Sequence, residues 1–526
     1  MRKTKNLLAL GTIITPIAAI ATISCNMSVG YKIALFNYED YIDEEGQEII
    51  NSNFQYKTFG DLPEFEQALK EGKTLGGIGS DYYNAKLAKQ GELTKLDFHK
   101  IFNIPSSISD IPSILQAIYT PAVWTQMSMF DDYLGDVDND GKKDYLWEYM
   151  VPYFIQSKLL AFNKNRGKWT DEEKAILNPQ SGTSEEKQSG IEKLFSDKTY
   201  IGMLKTLKKH GYNNFVNNDY SRDNLMIGSE IKGDFTGNLT EQNYKSFIDG
   251  YVQTIKNGLE VGVGSSKFIT ETSGIESLDH LINPDEDWGV SFLYNGDAQY
   301  AHIGGSQYDG DNTNSAWAEQ GDNIRFATPK NPIFLLDGFV MSSRVDKEEL
   351  KTQLYNTIYK AIFEGAYKTP EQLKEIEDTD KVYRPLIKDI ANILSIAGNN
   401  NFKSKLQTQY GISDIYAQTI VNMNLNKITG TDKEKEEEAI SRLDIYGHLN
   451  NSRVYKNYDY VGYTTPFNVV YNYVNDDDTN GYFEDDFIGK SLLPIAGVPK
   501  LNQIIAPIDD KLQNDYLIYY EQETKS

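Results

Sequence analysis

The sequence predicts an α/β protein with two lobes. Strand-like and helix-like segments alternate along the chain, which is typical of βαβ units around a largely parallel sheet. The chain has 526 residues, which is too long for one hydrophobic core and favours two lobes. A third observation is the long apolar segment Tyr149–Asn163, which we expect to form one or two strands and to cross between the lobes.

The individual elements follow from local patterns. A buried first strand is expected at Tyr31–Asn37 and a Gly-rich strand at Leu75–Ser80, and helical spacing covers Leu62–Gly72. The other expected elements are helices over Asp81 to about Gln90, Ile111–Asp132, Ile191–His210, Gln242–Lys256 and Asp346–Tyr367, a helix starting at the capping box Thr170–Glu173, a polar loop over Pro179–Gly190, strands over Gly289–Tyr294, Asn323–Thr328 and Ile333–Ser342, and an exposed charged segment over Asp432–Glu438.

The N-terminus has the layout of a cleaved export signal. Three basic residues, Arg2, Lys3 and Lys5, precede the uncharged stretch Leu7–Ile23. That stretch is shorter than the roughly 20 residues of a membrane-spanning helix and is interrupted by Pro16. We therefore expect residues 1–24 to be a lipoprotein signal peptide and residues 25–30 to be an anchor and linker.

Cys25 is the one cysteine of the chain, so an internal disulfide is excluded. Its position resembles the lipobox of bacterial lipoproteins, in which the cysteine receives diacylglycerol, although Thr22 stands where that motif usually has Leu. The resemblance implies lipidation of Cys25 and a chain anchored on the outer face of the cell membrane. A buried structural cysteine behind an ordinary signal peptide is the alternative.

The net charge of −24 favours cationic partners and argues against nucleic acid. Enzyme chemistry finds little support. The five histidines show no paired metal-ligand spacing, a catalytic thiol is absent once Cys25 is lipidated, and no GxSxG elbow occurs. The sequence therefore predicts a binding protein that is not an enzyme.

Several segments, in order along the chain, resemble the spermidine/putrescine-binding proteins of bacterial ABC importers. These segments are Phe36–Tyr41, Ser80–Tyr83, Met150–Phe154, Tyr294–Gly296, Ile333–Asp337, Gly462–Pro466 and Gln513–Asp515. The resemblance implies a two-lobed, periplasmic-binding-protein-like α/β fold with a ligand cleft between the lobes. We expect lobe 1 to comprise residues 31–150 and 338–470, and lobe 2 residues 151–337 and 471–526. The segments near 165–275 and 368–455 read as insertions.

The resemblance also implies a ligand and a partner, namely a polyamine delivered to ABC permease subunits. A polyamine site needs carboxylates for the ammonium groups and aromatic faces for the methylenes, because an unpaired desolvated ammonium is costly. The positions that match the family's ligand residues are Tyr38, Tyr41, Ser80, Tyr82, Asp219, Asp223, Tyr294, Asp337, Tyr463 and Gln513.

Two departures from the family pattern leave the ligand open. Tyr294 and Leu335 stand where the family has tryptophans, which shrinks the aromatic box. Another small cation such as thiamine is therefore an alternative ligand. A surface adhesin or antigen lipoprotein is the alternative from another class of function.

A second candidate site is independent of the resemblance. Asp136, Asp138, Asp140 and Asp144 occupy positions 1, 3, 5 and 9 of a calcium-type loop, with Gly141 at position 6. The backbone carbonyl of Lys142 would join them at position 7, whereas the Glu of a standard EF-hand is missing at position 12. The sequence thus predicts a structural Ca²⁺ site, with a simple polar surface turn as the alternative.

Overall fold

The computed structural model describes residues 32–233, 235, 237–307, 316–443, 447–475, 483, 486–493, 500 and 503–525. The predicted signal peptide, Cys25 and the linker lie outside these residues. The nine strands are β1 (Ala34–Tyr38), β2 (Gln55–Phe59), β3 (Thr74–Ser80), β4 (Met150–Asn163), β5 (Phe215–Asn218), β6 (Phe268–Glu271), β7 (Val290–Tyr294), β8 (Ile324–Ala327) and β9 (Phe334–Met341).

The helices cover most of the remaining chain. They are α1 (Glu44–Asn53), α2 (Leu62–Lys70), α3 (Asp81–Lys89), α4 (Phe98–Ile101), α5 (Ile111–Ile118), α6 (Pro121–Ser128), α7 (Asp131–Leu134), α8 (Asp171–Leu177), α9 (Ser184–Glu192), α10 (Tyr200–Lys209), α11 (Ser221–Ile231), α12 (Tyr244–Leu259), α13 (Gly274–Ile282), α14 (Asn295–His302), α15 (Ala316–Gly321), α16 (Glu348–Ile358), α17 (Pro370–Ile387), α18 (Ile390–Ala397), α19 (Phe402–Gln409), α20 (Asp414–Asn422), α21 (Asp432–Leu443), α22 (Gly447–Asn450), α23 (Arg453–Val461), α24 (Asn468–Asn475), α25 (Phe487–Leu492) and α26 (Asp510–Thr524).

The strands form two sheets that share β4. The first has the order β2-β1-β3-β9-β4, and in it β1 pairs in parallel with β2 and β3 while β9 runs antiparallel to β3 and β4. In the second sheet, β7 and β8 pair with β4 and β5 lies between β7 and β6. This arrangement is the two-lobed α/β fold that the sequence predicts.

Strand β4 passes from one sheet into the other. Its first part, Met150–Ser157, pairs with β9, and its second part, Lys158–Asn163, pairs with β7 and β8. All 14 residues of β4 are buried, which explains the continuous apolar character of this segment. The pairing changes between Ser157 and Lys158, and any side chain at this point lies where the two lobes meet.

The predicted helix over Ile111–Asp132 is wrong as a single element. The structure has three short helices, α5, α6 and α7, and the chain is extended at Thr120 with ψ 149°. Pro121 explains the first break, because a proline disfavours the helical conformation of the residue before it and cannot donate a helical hydrogen bond.

Two capping residues explain the other boundary errors. The predicted loop over Pro179–Gly190 is wrong, because Thr183 and Glu186 form a capping box that starts α9. The predicted helix over Ile191–His210 is interrupted, because Thr199 is extended and caps the start of α10 with its side chain. The charged segment over Asp432–Glu438 is mostly exposed and belongs to α21.

The segment that contains α17 to α21 packs around a hydrophobic core of its own. Its buried residues include Leu386, Ile393, Leu406, Ile420 and Leu443, and they form a cluster separate from the main core. The predicted insertion near 368–455 is therefore largely a small helical unit. The assignment of 338–470 to lobe 1, like the other lobe boundaries, stays a prediction.

Helix α26 connects the lobes near the end of the chain. It packs against α12, and the Tyr520 hydroxyl accepts a hydrogen bond of 2.8 Å from the Asn224 amide of α11. At its other end Asp510 forms ion pairs with Lys70 and Lys86. Within the part of the chain that the structure describes, no helix is both long and apolar enough to cross a membrane.

The Gly-rich strand β3 predicts a measurable packing constraint. A Cβ atom on Gly77 would lie 2.2 Å from the Phe36 carbonyl oxygen and 2.9 Å from the Phe65 ring, whereas a Cβ on Gly60 would meet nothing within 4 Å. We expect Gly77→Ala to lower the free energy of unfolding by about 1–3 kcal/mol, because the strands must separate to admit the methyl group. Gly60→Ala is the control, and equal midpoints for both variants in chemical denaturation would contradict this packing.

Candidate ligand-binding site

The middle of β9 carries a buried carboxylate, Asp337, which accepts hydrogen bonds from three neutral donors. The hydroxyls of Ser80 and Tyr41 lie 2.6 Å and 2.8 Å from its two oxygens, and the Gln156 amide also donates to it. The Tyr38 hydroxyl lies 3.0 Å from that of Ser80. We call these five residues the Asp337 cluster.

Sheet topology brings the Asp337 cluster together. Tyr38 and Ser80 end the parallel strands β1 and β3, and the carboxyl ends of parallel strands meet at one edge of a sheet, where ligands of open α/β sheets bind. Ser80 also pairs directly with Asp337 in the antiparallel ladder of β3 and β9. Gln156 reaches the same place from β4, where the chain passes between the lobes.

Burial dominates the electrostatics of this cluster. Removal from water raises the pKa of Asp337 to about 6, and the hydrogen bonds from Ser80, Tyr41 and Gln156 oppose that rise. Burial also raises the pKa of the neighbouring Asp81 to about 8, although Gln126 donates a hydrogen bond of 2.7 Å to it. A pKa of about 8 leaves Asp81 protonated near neutral pH, whereas Asp337 is ionised there and its three donors are neutral, which is the condition that favours a cationic ligand.

Aromatic rings line the Asp337 cluster. The Tyr41 ring lies 5.4 Å from that of Tyr38 and 5.5 Å from those of Tyr153 and Tyr463, in each case edge to face. Such pairs present ring faces as well as edges, and a ring face attracts a cation. The site therefore combines acid and aromatic groups as the sequence predicts for Tyr38, Tyr41 and Tyr463.

Tyr463 also contacts the start of α14. Its hydroxyl donates to Asp297 at the start of α14, with 2.5 Å between the oxygens. The close approach requires Gly296, because a Cβ there would lie 2.2 Å from the Tyr463 ring. Next to it, the Asn295 amide donates to the Thr464 hydroxyl at 2.8 Å. Burial raises the pKa of Asp297.

A second buried carboxylate, Asp223, lies in the first turn of α11. The Lys158 ammonium lies 2.9 Å from its Oδ2, and the Tyr294 hydroxyl donates to the same oxygen at 2.6 Å. The ammonium also lies 4.8 Å from the centre of the Tyr294 ring and 5.5 Å from that of Tyr220. We call Asp223, Lys158, Tyr294 and Tyr220 the Asp223 cluster.

Tyr220 connects the two clusters. It interacts electrostatically with Tyr38 and Tyr463 on one side and with Tyr294 on the other. The structure thus brings seven of the ten predicted ligand residues to the interlobe strands. Tyr38, Tyr41, Ser80, Asp337 and Tyr463 form the Asp337 cluster and its aromatic lining, and Tyr294 and Asp223 belong to the Asp223 cluster.

Of the other three predicted residues, Tyr82 interacts electrostatically with Tyr294 and Asp223, whereas Gln513 and Asp219 have protein partners of their own. The Arg222 guanidinium lies over the Tyr82 ring at 5.5 Å. Gln513 bonds to the Lys86 ammonium and the Tyr83 hydroxyl, at 2.9 Å each.

Asp219 accepts a hydrogen bond of 2.8 Å from Tyr520 and forms an ion pair of 3.0 Å with Lys525. It therefore contacts α26 and the residue after it, while Asp223, four residues further along, faces Lys158 and Tyr294. Of the two predicted acids on this segment, Asp219 and Asp223, only Asp223 adjoins the site.

Four residues of the site were not predicted, namely Gln156, Lys158, Tyr220 and Asp297. Gln156 and Lys158 could have been found from the sequence, because both are polar residues within an apolar strand. They are two positions apart, so they face the same side of the strand. Asp297 follows the predicted Tyr294–Gly296 segment by one residue. Tyr220 stands in register with the first of the two acids that the resembling family has on this segment, next to the predicted Asp219.

The predicted calcium loop presents a smaller group of acids than expected. Oxygens of Asp136, Asp138 and Asp144 lie within 4.8 Å of one another. The Lys95 ammonium is 3.0 Å from Asp138 and 2.5 Å from Asp144. The Asp140 carboxylate lies apart from this group and accepts a hydrogen bond of 2.8 Å from the backbone amide of Lys142.

The two sheets that share β4, with buried acids where they meet, define a two-lobed α/β protein. The chain belongs to a family of hypothetical lipoproteins, the MG045 family, whose model matches residues 1–525. No curated protein matches the sequence.

Solved structures of similar fold include a spermidine/putrescine ABC transporter substrate-binding protein, PotD, from Streptococcus pneumoniae, in complex with calcium and HEPES. It is 14% identical at a TM-score of 0.45, over 94% of this chain and 99% of that one. A putative spermidine/putrescine ABC transporter protein from Listeria monocytogenes is 13% identical at 0.44, over 94% and 98%. A lipoprotein of Treponema pallidum is 12% identical at 0.38, over 62% and 80%.

The raised pKa of Asp337 predicts a pH dependence of stability. Because burial raises the pKa from 3.8 to about 6, the folded state binds this proton more tightly than the unfolded chain, and ionisation destabilises the fold as pH rises from about 4 to 6. Asp337→Asn removes the titration. We expect the free energy of unfolding of the wild type, relative to this variant, to fall by about 2–3 kcal/mol over that range.

The matched control is Asp285→Asn, at an exposed carboxylate between α13 and β7. Denaturation in urea at several pH values gives the difference for each variant. A difference between wild type and Asp337→Asn that stays constant from pH 4 to 6 would contradict the burial of an ionisable group at this position.

Proposed function

We propose that the chain is a lipid-anchored, extracytoplasmic solute-binding protein that captures a small organic cation for an ABC permease. The candidate ligands are a polyamine, such as spermidine or putrescine, and a cation of another kind, such as thiamine. The anchor would be Cys25, on the outer face of the cell membrane. Membership of a lipoprotein family supports the anchor. The buried acids and tyrosine rings at the interlobe strands support the capture of a cation.

The observation that carries this proposal is the Asp337 cluster. Its carboxylate is buried, meets neutral donors only, and is flanked by the rings of Tyr38 and Tyr41. A carboxylate has about four acceptor positions, and three are used here, so one remains for an ammonium group. Ring faces supply cation–π attraction of roughly 0.5–2 kcal/mol to the same cation. We therefore assign the ligand's ammonium group to Asp337.

Access to Asp337 requires the lobes to separate. The Tyr463 hydroxyl of one lobe bonds Asp297 of the other, and Tyr82 and Arg222 face each other in the same way. Rotation about the interlobe strands would open these contacts, which is the hinge closure known for two-lobed binding proteins. The ligand then replaces water between the two sides and stabilises the closed form.

The loop from Asp136 to Asp144 would serve a separate, structural purpose. We propose that Ca²⁺ binds the carboxylates of Asp136, Asp138 and Asp144, with Asp140 and the Lys142 carbonyl as the further ligands that the loop pattern assigns. Lys95 contacts two of the same carboxylates, so the ion must displace its ammonium. This loop precedes β4 and would hold the start of the interlobe strand.

Ligand binding is tested by thermal and urea denaturation of the chain with spermidine, putrescine and thiamine. Any cation that binds the folded chain should raise the free energy of unfolding by about 2.7 kcal/mol when its concentration is about 100 times Kd. Asp337→Asn should lose this stabilisation, because it removes the ammonium's counter-charge, while Asp285→Asn should keep it. Unchanged stability with every cation would contradict the proposal and favour the adhesin alternative.

The calcium site is tested by calorimetric titration. We expect heat of binding for the wild type and loss of it for Asp138→Ala. Lys95→Met should bind Ca²⁺ more tightly than the wild type, because the competing ammonium is gone. Lys57→Met, at an exposed lysine of β2 away from this loop, is the control. Identical titrations for the wild type and Asp138→Ala would rule the site out.

A further inference from the structure

Lys158 is the most unusual charged residue of the interlobe strands. Its side chain is completely buried, and the Asp223 side chain that it pairs with is 3% exposed. Long, charged side chains are almost never fully buried unless they are paired. Here the ammonium has one carboxylate oxygen at 2.9 Å and two tyrosine rings, those of Tyr294 and Tyr220, at 4.8 and 5.5 Å.

These partners are the ones that a bound amine requires. A desolvated ammonium needs a carboxylate, and ring faces add cation–π attraction. The Tyr294 hydroxyl completes the arrangement, because it donates to the same Asp223 oxygen and fixes its position. The Asp223 cluster is therefore a complete site for one ammonium group, and a side chain of the protein already occupies it.

Strand geometry places a second donor beside Lys158. Gln156 precedes it by two residues on β4, so both side chains point to the same face, about 7 Å apart along the strand. Gln156 donates to Asp337, as Lys158 donates to Asp223. The strand thus offers one donor to each carboxylate, but only Lys158 brings a positive charge.

The charges that remain for a ligand follow from this difference. Asp223 is neutralised by Lys158, whereas the hydrogen-bond donors to Asp337 are hydroxyls and an amide. Asp297 receives the Tyr463 hydroxyl and interacts with Lys158 at longer range. An ammonium group at Asp337 would find a counter-charge, but a second one directed toward Asp223 would meet the Lys158 ammonium.

We propose that Lys158 is a resident ammonium that determines specificity, so that the site takes an organic cation with a single ammonium group in preference to a diamine. The inference rests on the proposed function, since it concerns the same site. It narrows the candidate ligands to organic cations that carry one ammonium group. Lys158 excludes the second ammonium of a diamine by repulsion and by occupying its carboxylate.

The test uses a matched pair of probes, n-butylammonium and putrescine, which share a four-carbon chain and differ by one ammonium group. Four proteins are compared by calorimetry: the wild type, Lys158→Met, Lys158→Arg and the double variant Lys158→Met/Asp223→Asn. Methionine keeps the length of the stem without its charge. Arginine keeps the charge, and the double variant removes both charges of the pair.

We expect the wild type to bind n-butylammonium more tightly than putrescine. In Lys158→Met the ratio of the two affinities should shift toward putrescine by about tenfold or more, because Asp223 then lacks a partner and accepts the second ammonium. Lys158→Arg and the double variant should keep a preference for n-butylammonium. A purely structural lysine would change stability without changing this ratio.

Stability measurements test the inference independently, and they remain informative if Lys158→Met folds poorly. Lys158→Met leaves a buried carboxylate without a counter-charge, so its refolding yield and melting temperature should be low. Millimolar ammonium ion should raise both more in Lys158→Met than in the double variant, because Asp337 can take a cation in either protein but an unpaired Asp223 remains only in Lys158→Met. Absence of rescue in Lys158→Met would overturn the inference.

The outcomes separate this inference from the proposed function. If the wild type binds putrescine at least as tightly as n-butylammonium, and Lys158→Met leaves the ratio unchanged, the role of Lys158 is wrong and cation capture stands. If no cation binds to the wild type or to Lys158→Arg at any concentration, the role of Lys158 and the proposed capture of a cation are both overturned.

Discussion

The structure depends on one constraint: carboxylates that are buried where two lobes meet must each be given partners. Removing a carboxylate from water costs several kcal/mol unless hydrogen bonds or a counter-charge compensate. Asp337, Asp223 and Asp297 all lie at this place. The tyrosines around them act as donors through their hydroxyls and as apolar walls through their rings, which explains why this chain places so many tyrosines at its interlobe strands.

Strand β4 links the fold to the site. It belongs to both sheets, so its backbone holds the lobes together, and its polar side chains supply a donor to a carboxylate of each lobe. A change on this strand therefore alters the connection between the lobes and the charge of the site at the same time. Gln156 satisfies Asp337 without neutralising it, and that difference from Lys158 decides where a cationic ligand can be held.

The sequence predicts much of the fold because its three longest strands, β3, β4 and β9, are buried along their whole length and contain few polar residues. The resemblance points to Tyr38, Tyr41, Ser80 and Asp337 together, and the structure brings them into contact because Tyr38 and Ser80 end parallel strands and Ser80 pairs with Asp337. Prediction from the sequence fails where a single residue breaks a periodic pattern, as Pro121 and Thr199 do. It also misses Lys158, because a lysine within an apolar strand gives no indication of which carboxylate it will meet. Pairing between β4 and α11 is a long-range contact, and neither segment contains that information.

The most direct measurement is a crystal structure of the chain with n-butylammonium. We predict the ammonium nitrogen within about 3 Å of the Asp337 carboxylate, the butyl chain along the rings of Tyr38 and Tyr41, and Lys158 still paired with Asp223. A structure in which the amine lies on Asp223 with Lys158 displaced, or binds away from the interlobe strands, would contradict the account.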